Sequence, residues 1–512
     1  MMKLNSKKKK PFVNPLLTGL LAAVVMWGTF EIPAGAEQTQ SAVSDRSLVV
    51  FKSGRIPNGV VEALLARSGV KVTAIPDIGV VAVKSETPGK GESIKEFLFS
   101  RFGRDIEVVG EDFVLTLKHD LNRPVGEMLS LSSVRFALED VAKKAGAKTD
   151  ESDVAAAPAV DVSKAVLYQQ WGWDIRQVTG NGKSFEIQPG NPQVKVAVID
   201  SGIDPNHPDL KNNLVSTGRS FVPGDPSTAD DFGHGTMVAG TIAANGLLLG
   251  VGPRLGLIPY RVFQNGDADS NWVIQAIIQA VKDGVDVINL SLGTYKSLKN
   301  PSDKAVLLAY EKAVAYALAN GVMVVASSGT DGLDIGNPAV LAAQRGQPGD
   351  LQVHAPGGLP GVLTVAATNR DQGRAFYSNY GWNVDIAAPG GDFGPLWEQQ
   401  LIADVRYMCL VTYPTNLPQT PLSQWAGLPK GYEWMIGTSL AAPKVAAAAA
   451  LVIAQEKEKW KKVGYPAGVK LRNALRVRDI LEKSAVDIGP TGRDSQFGVG
   501  LLDVVRALQA VR

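Results

Sequence analysis

Apolar positions between residues 47 and 117 switch repeatedly between strand and helix spacing. Ser47–Lys52 is a short apolar run of strand type, and Asn58–Ala66 carries Val61, Leu64 and Leu65 at helical spacing. Val70–Ile75 and Gly79–Lys84 read as two strands about a Pro76-Asp77 turn. Ser93–Phe102 places Ile94, Phe97, Leu98 and Phe102 on one helical face, and Ile106–Leu117 returns to strand. The resulting order βαββαβ predicts a split βαβ, ferredoxin-like α+β unit. From Lys164 onward the pattern differs. The β-branched runs Val194–Ile199, Val285–Leu292, Val322–Ala326 and Val362–Ala367 lie among helical stretches at His234–Asn245, Val273–Asp283, Ala305–Asn320 and Ser439–Gln455. Continuously apolar strands interleaved with helices predict an α/β domain, a mostly parallel sheet covered by helices on both faces.

The N-terminus has a third kind of pattern. Lys3, Lys7, Lys8, Lys9 and Lys10 precede an apolar stretch from Pro15 to Phe30, and Ala34-Gly35-Ala36 follows. Basic, apolar and small-x-small regions in that order read as a secretory signal peptide cleaved after Ala36. The alternative is an uncleaved membrane anchor, although the apolar stretch falls short of the about 20 residues that span a bilayer. No other segment reads as apolar and long enough to cross. Between the two folded units, Leu131–Ala145 has a helical pattern and Thr149–Ala159 is an Ala-, Asp- and Ser-rich linker. The chain thus divides into a leader (1–36), a small domain (37–117, its first ten residues polar), a connecting segment (118–164) and a large domain (165–512).

Composition narrows the function classes. Of 512 residues, 45% are hydrophobic and 20% charged, as in ordinary globular proteins. The formal net charge of +2 is carried by the lysine-rich leader, and without it the sign turns slightly negative. A near-neutral body gives no electrostatic case for nucleic-acid binding. Cys409 is the only cysteine, so no intrachain disulfide forms, and it reads as a packed thiol.

Three motifs carry chemistry. The strand Val194–Ile199 ends on Asp200-Ser201-Gly202, and functional groups gather at the carboxyl ends of strands in open α/β sheets. Alone, Asp200 could equally be a helix cap or a metal ligand. Asp230-Asp231-Phe232-Gly233-His234-Gly235-Thr236 sets a histidine between glycines at the start of a helix paved with small residues. Of the other histidines, His119 precedes the large domain, His207 suits a structural loop, and His354 has no small-residue setting. Gly437-Thr438-Ser439-Leu440-Ala441-Ala442-Pro443 opens an Ala-rich helix on a serine. That serine is either a helix N-cap or a nucleophile, with free N–H groups aimed at the charge on a reacting carbonyl.

In the order Asp, His, Ser, the three motifs resemble the subtilisin-like serine protease family, over about Trp171 to Leu508. Val287–Gly293, Tyr377-Ser378-Asn379-Tyr380-Gly381 and Gly498-Val499-Gly500-Leu501-Leu502-Asp503 also fit. The resemblance implies a secreted serine endopeptidase with Asp200, His234 and Ser439 as its triad. It implies Ser291, Leu292 and Gly293 as an edge on which a peptide or protein substrate pairs as an added strand. Residues 37–117 would be an inhibitory propeptide, no cofactor is required, and calcium is allowed. One departure stands out: Thr330, in Ser328-Gly329-Thr330, replaces the family's oxyanion asparagine. A non-catalytic binding scaffold is the competing class, and retention of the triad and propeptide argues against it. Trp173-Asp174-Ile175, Thr179–Phe185, Leu440 and Lys444 are similar to lantibiotic leader peptidases, which remove the leader from a modified peptide precursor.

Overall fold

A computed structural model describes residues 45–87, 91–117, 124, 125, 129, 160–463 and 474–511. The leader, the helix expected over Leu131–Ala145 and His119 lie outside these residues. The N-terminal unit contains strands β1 (Arg46–Phe51), β2 (Val70–Ile75), β3 (Val80–Ser85) and β4 (Ile106–Glu111), with helices α1 (Val60–Leu65) and α2 (Gly91–Phe102). Its antiparallel sheet has the order β2-β3-β1-β4, the ferredoxin-like arrangement. The expected last strand, Ile106–Leu117, is corrected: it breaks at Asp112-Phe113 and resumes as β5 (Val114–Thr116).

The large unit supplies β6 (Lys195–Asp200), β7 (Arg219–Ser220), β8 (Gly256–Arg261), β9 (Asp267–Asp269), β10 (Val287–Leu290), β11 (Thr294–Ser297), β12 (Met323–Ser327), β13 (Gln352–Ala355), β14 (Leu363–Thr368) and β15 (Ile386–Pro389). Two more strands, β16 (Cys409–Thr412) and β17 (Tyr432–Met435), pair as an antiparallel ribbon, as do β11 with β13. Seven strands form one parallel sheet in the order β15-β14-β12-β10-β6-β8-β7. Helices that matter below are α3 (Trp173–Thr179), α4 (His234–Ala243), α5 (Ser270–Lys282), α6 (Pro301–Ala319) and α7 (Thr438–Val463).

Alternate residues of each central strand enter different cores. Val196, Val198, Met323 and Val325 pack with α4 and α7, whereas Ala197, Ile199, Val324 and Ala326 pack with α5 and α6. Burial on both faces explains why these strands lack polar alternation. The Thr438–Lys461 stretch of α7 is apolar and long enough to cross a membrane, which corrects the reading that only the leader is. Here it is a core helix, and its Ala446–Val452 run is fully buried.

The N-terminal sheet is also buried on both faces. Val49, Phe51, Val81 and Val83 pack with α1 and α2, while Leu48, Val50, Val80 and Ala82 join the core made by α5 and α6. A Cβ on Gly110 would strike Ser302 and Ala305, so β4 lies directly on the start of α6. Beyond that sheet, β5 pairs antiparallel with β9 and Leu117 N–H donates to the Gly266 carbonyl at 2.6 Å. The small domain is therefore built into the larger one rather than set beside it.

Candidate active site

The parallel sheet brings the ends of β6, β10 and β12 to one edge, and each end carries a residue singled out by its motif. Asp200 closes β6. Its Oδ1 accepts the Ser201 N–H at 2.7 Å and lies 2.8 Å from His234 Nδ1. Both side chains are fully buried. The contact places the imidazole proton on Nδ1 and leaves Nε2 as the basic atom; Nε2 is buried and has no hydrogen-bond partner among the described residues.

His234 is the first residue of α4, and Asp230 fixes it there. The Asp230 carboxylate accepts the N–H groups of Phe232, Gly233 and Thr236 and the hydroxyls of Ser201 and Thr236 at 2.7–3.0 Å. Burial pushes this carboxyl above its ordinary pKa, and those donors hold against the shift. The helix start also touches the loop after β6: a Cβ on Gly235 would run into the Gly202 carbonyl. Glycine at 235 thus sets how closely the histidine approaches Asp200.

Ser439 is the second residue of α7 and is almost wholly buried. Its hydroxyl donates to the Ser291 carbonyl at 3.3 Å, and the Ser291 hydroxyl donates to the Ser439 carbonyl at 2.8 Å. Ser291 follows β10, so Ser291-Leu292-Gly293 and the candidate nucleophile meet directly. Thr330 follows β12 in a loop held by Asn379. The Asn379 amide donates to Ser328 O at 2.9 Å and to Tyr295 Oη at 2.7 Å, and accepts from Leu333 N–H at 2.8 Å. Gly329 has φ +101°, a conformation open to glycine, and a Cβ there would collide with the Asn379 amide. Thr330 is partly exposed, and its hydroxyl has no partner among the described residues.

Sequence reasoning named the Tyr377-Ser378-Asn379 motif without its task, which is to shape this loop and, through Tyr377 Oη, the Gly390 and Gly391 carbonyls. It also missed the burial of Lys444. Lys444 belongs to α7, and its buried ammonium lies 2.8 Å from Asp174 on α3 and donates to Leu440 O at 3.1 Å. Cys409 is buried nearby, and burial pushes its thiol well above its ordinary pKa. His207 bridges the Gly431 carbonyl and the Asp209 N–H as a loop residue. His354 differs from its sequence setting. In space it lies among glycines, its Nε2 facing Gly293 and Gly329. Burial lowers its pKa to about 4, so it is neutral. Among the described residues no three His, Cys, Asp or Glu side chains gather into a group that could hold a metal ion.

Residues 191–500 match the peptidase S8 model of the subtilase family, and the chain belongs to that family of serine proteases. It is 31% identical over 361 residues to the epidermin leader peptide-processing serine protease EpiP of Staphylococcus epidermidis, covering 66% of this chain and 74% of that one. Against the nisin leader peptide-processing serine protease NisP of Lactococcus lactis it is 33% identical over 313 residues, 56% of this chain and 44% of that protein. The crystal structure of EpiP from Staphylococcus aureus superposes with a TM-score of 0.67 at 26% identity, covering 91% of this chain and 98% of that one.

Proposed function

We propose that the chain is an exported endopeptidase that uses Asp200, His234 and Ser439 to remove the leader from a modified peptide precursor. The observation that carries the chemistry is the buried Asp200–His234 contact at 2.8 Å, which leaves Nε2 without a hydrogen-bond partner among the described residues. The leader-peptide substrate is carried over from the names of EpiP and NisP. Export rests on the basic–apolar–small pattern of residues 1–36.

The mechanism follows from the contacts. Substrate main chain pairs along Ser291–Gly293, and the Ser439 hydroxyl turns from the Ser291 carbonyl toward His234 Nε2. Nε2 takes the Oγ proton as the Oγ–carbon bond forms, and Asp200 stabilises the imidazolium. The Ser439 N–H and the uncommitted Thr330 hydroxyl hold the oxyanion. Nε2 then returns its proton to the leaving amine as the carbon–nitrogen bond breaks. Water repeats the cycle to release the acyl group. Nucleophile, base and orienting carboxylate all come from the chain, so the reaction asks for no cofactor.

Residues 37–117 act as the propeptide in this reading. In support, β5 occupies the β9 edge, and Leu115 and Leu117 share a buried cluster with Leu292. Treating the purified protein with a serine-directed phosphonate and mapping the adduct tests the assignment. The label should fall on Ser439, and Ser439→Ala should abolish labelling and self-processing together; normal maturation of that variant in a protease-free preparation would sink the triad.

A further inference from the structure

We propose that Ser291 is a positioning residue for the nucleophile: its hydroxyl replaces the helix hydrogen bond that Pro443 cannot make, and so fixes the Ser439 peptide. This deepens the reading above and rests on it.

The reasoning begins with Pro443, which stands inside α7. In a regular helix the N–H at 443 would bond the carbonyl at 439, and proline has no N–H to give. The Ser439 carbonyl is thus orphaned in a buried place, where an unpaired backbone group is costly. The Ser291 hydroxyl fills the gap at 2.8 Å. Its direction is itself fixed. Asn289 Nδ2 donates to Ser291 Oγ at 3.0 Å, and a hydroxyl has one proton, which is then committed to Ser439 O. Asn289 is fully buried in β10 and Ser291 nearly so.

The chain Asn289–Ser291–Ser439 therefore ties the first turn of α7 to the central sheet, which also carries Asp200. A helix that bonded its own carbonyl would leave the orientation of that turn to packing alone. With proline at 443, the carbonyl is free to be held from the sheet, and the Ser439 N–H and Oγ are aimed with it. Ser291 thus has two tasks. Its main chain belongs to the substrate edge, and its side chain sets the nucleophile.

The test uses the full chain, with a peptide substrate and the phosphonate. Ser291→Ala should lower kcat by about tenfold or more with KM changed less than about twofold, because misplaced reacting groups cost rate rather than binding. Ser291→Thr, which keeps the hydroxyl, should retain most of the activity. The decisive variant is Ser291→Ala with Pro443→Ala, which supplies a helix N–H to the same carbonyl and should recover most of the lost kcat. If Ser291→Ala does not accumulate as folded protein, Asn289→Leu, which lets the hydroxyl rotate, should give a smaller loss of the same kind. Parental kcat in Ser291→Ala, or in Asn289→Leu, would overturn the proposal. So would a double variant that melts like the parent yet stays as slow as Ser291→Ala. Those results would leave the triad standing if Ser439→Ala remains inert; activity in Ser439→Ala would instead remove the reading beneath it.

Discussion

At the scale of single residues, Thr330 is the proposed oxyanion donor that follows β12. Its hydroxyl has no partner among the described residues, and Asn379 and the glycine at 329 hold the loop that carries it. A threonine reaches less far than an asparagine, yet it donates a hydrogen bond. Thr330→Val keeps the shape and deletes the donor, so turnover should fall by about 10² while KM hardly moves, since the interaction exists only in the transition state. Thr330→Asn should equal or exceed the parent. Steady-state kinetics on one peptide substrate decide it, and equal turnover in Thr330→Val and the parent would remove Thr330 from the oxyanion site. Asp200, His234 and Ser439 could be singled out in the sequence because each lies in a motif with its own local signal, and the structure joins the first two. The setting of His354 was not legible, because Gly293 and Gly329, which its Nε2 faces, come from loops distant in sequence. The Lys444–Asp174 pair was equally hidden, since nothing near either residue in sequence says that both are buried.

At the scale of elements, β6, β10, β12 and β14 of the large sheet were readable because they are continuously apolar and buried on both faces. The strands β7, β8 and β15 were not named: β7 is two polar residues, β8 is interrupted by Pro259 and β15 ends on Pro389. The last strand of the small domain was not readable either, and Asp112 is why. It leaves the sheet to accept the backbone and side-chain N–H groups of Asn271 at the start of α5, a partner that no local pattern reveals. Burial, with Asp269 close by, pushes the Asp112 carboxyl up to about 7. Arg46, which is paired with Asp269, pulls the other way, while Lys296 and Tyr310 also face the group. Burial raises Asp269 too. The sign follows directly. A carboxyl whose pKa is raised on docking is held more tightly with its proton, so docking of the small domain is strongest at acid pH. Affinity should weaken as pH climbs from about 4, and should level off above about 7. Asp112→Asn should remove the larger part of that slope. Inhibition constants for the isolated small domain, measured at several pH values between 5 and 8, check this; a parent profile as flat as that of Asp112→Asn would contradict it.

At the scale of the whole molecule, the small domain and the large one share a core, yet the first also has a core of its own. Val49, Phe51, Val60, Leu64, Ile94 and Leu98 pack together without help from the large domain. The opposite face, with Leu48, Val50 and Val80, closes on α5 and α6. Ion pairs from Asp77 to Lys282 at 2.6 Å and from Glu107 to Lys312 at 3.5 Å flank that face. Phe113 covers the Lys296 ammonium at 3.6 Å, just before β5 runs along β9. A body that can hold its own fold and still presents a complementary face should act as a separate molecule. Residues 37–117, made as an independent chain and mixed with mature enzyme, should therefore inhibit peptide hydrolysis competitively at micromolar concentration or below. The β5 strand should be essential to this. Ending the segment at Glu111 keeps the ferredoxin-like sheet and its core, but removes Asp112, Phe113 and the strand paired with β9. That shorter chain should still show the circular dichroism of a folded α+β domain, and inhibition should weaken by at least about tenfold, the equivalent of roughly 1.4 kcal/mol. Equal inhibition by both chains would mean that the face on α5 and α6 does the blocking without the strand. No inhibition by the full segment would make the small domain a permanent part of the fold instead of a propeptide, whatever the fate of the triad.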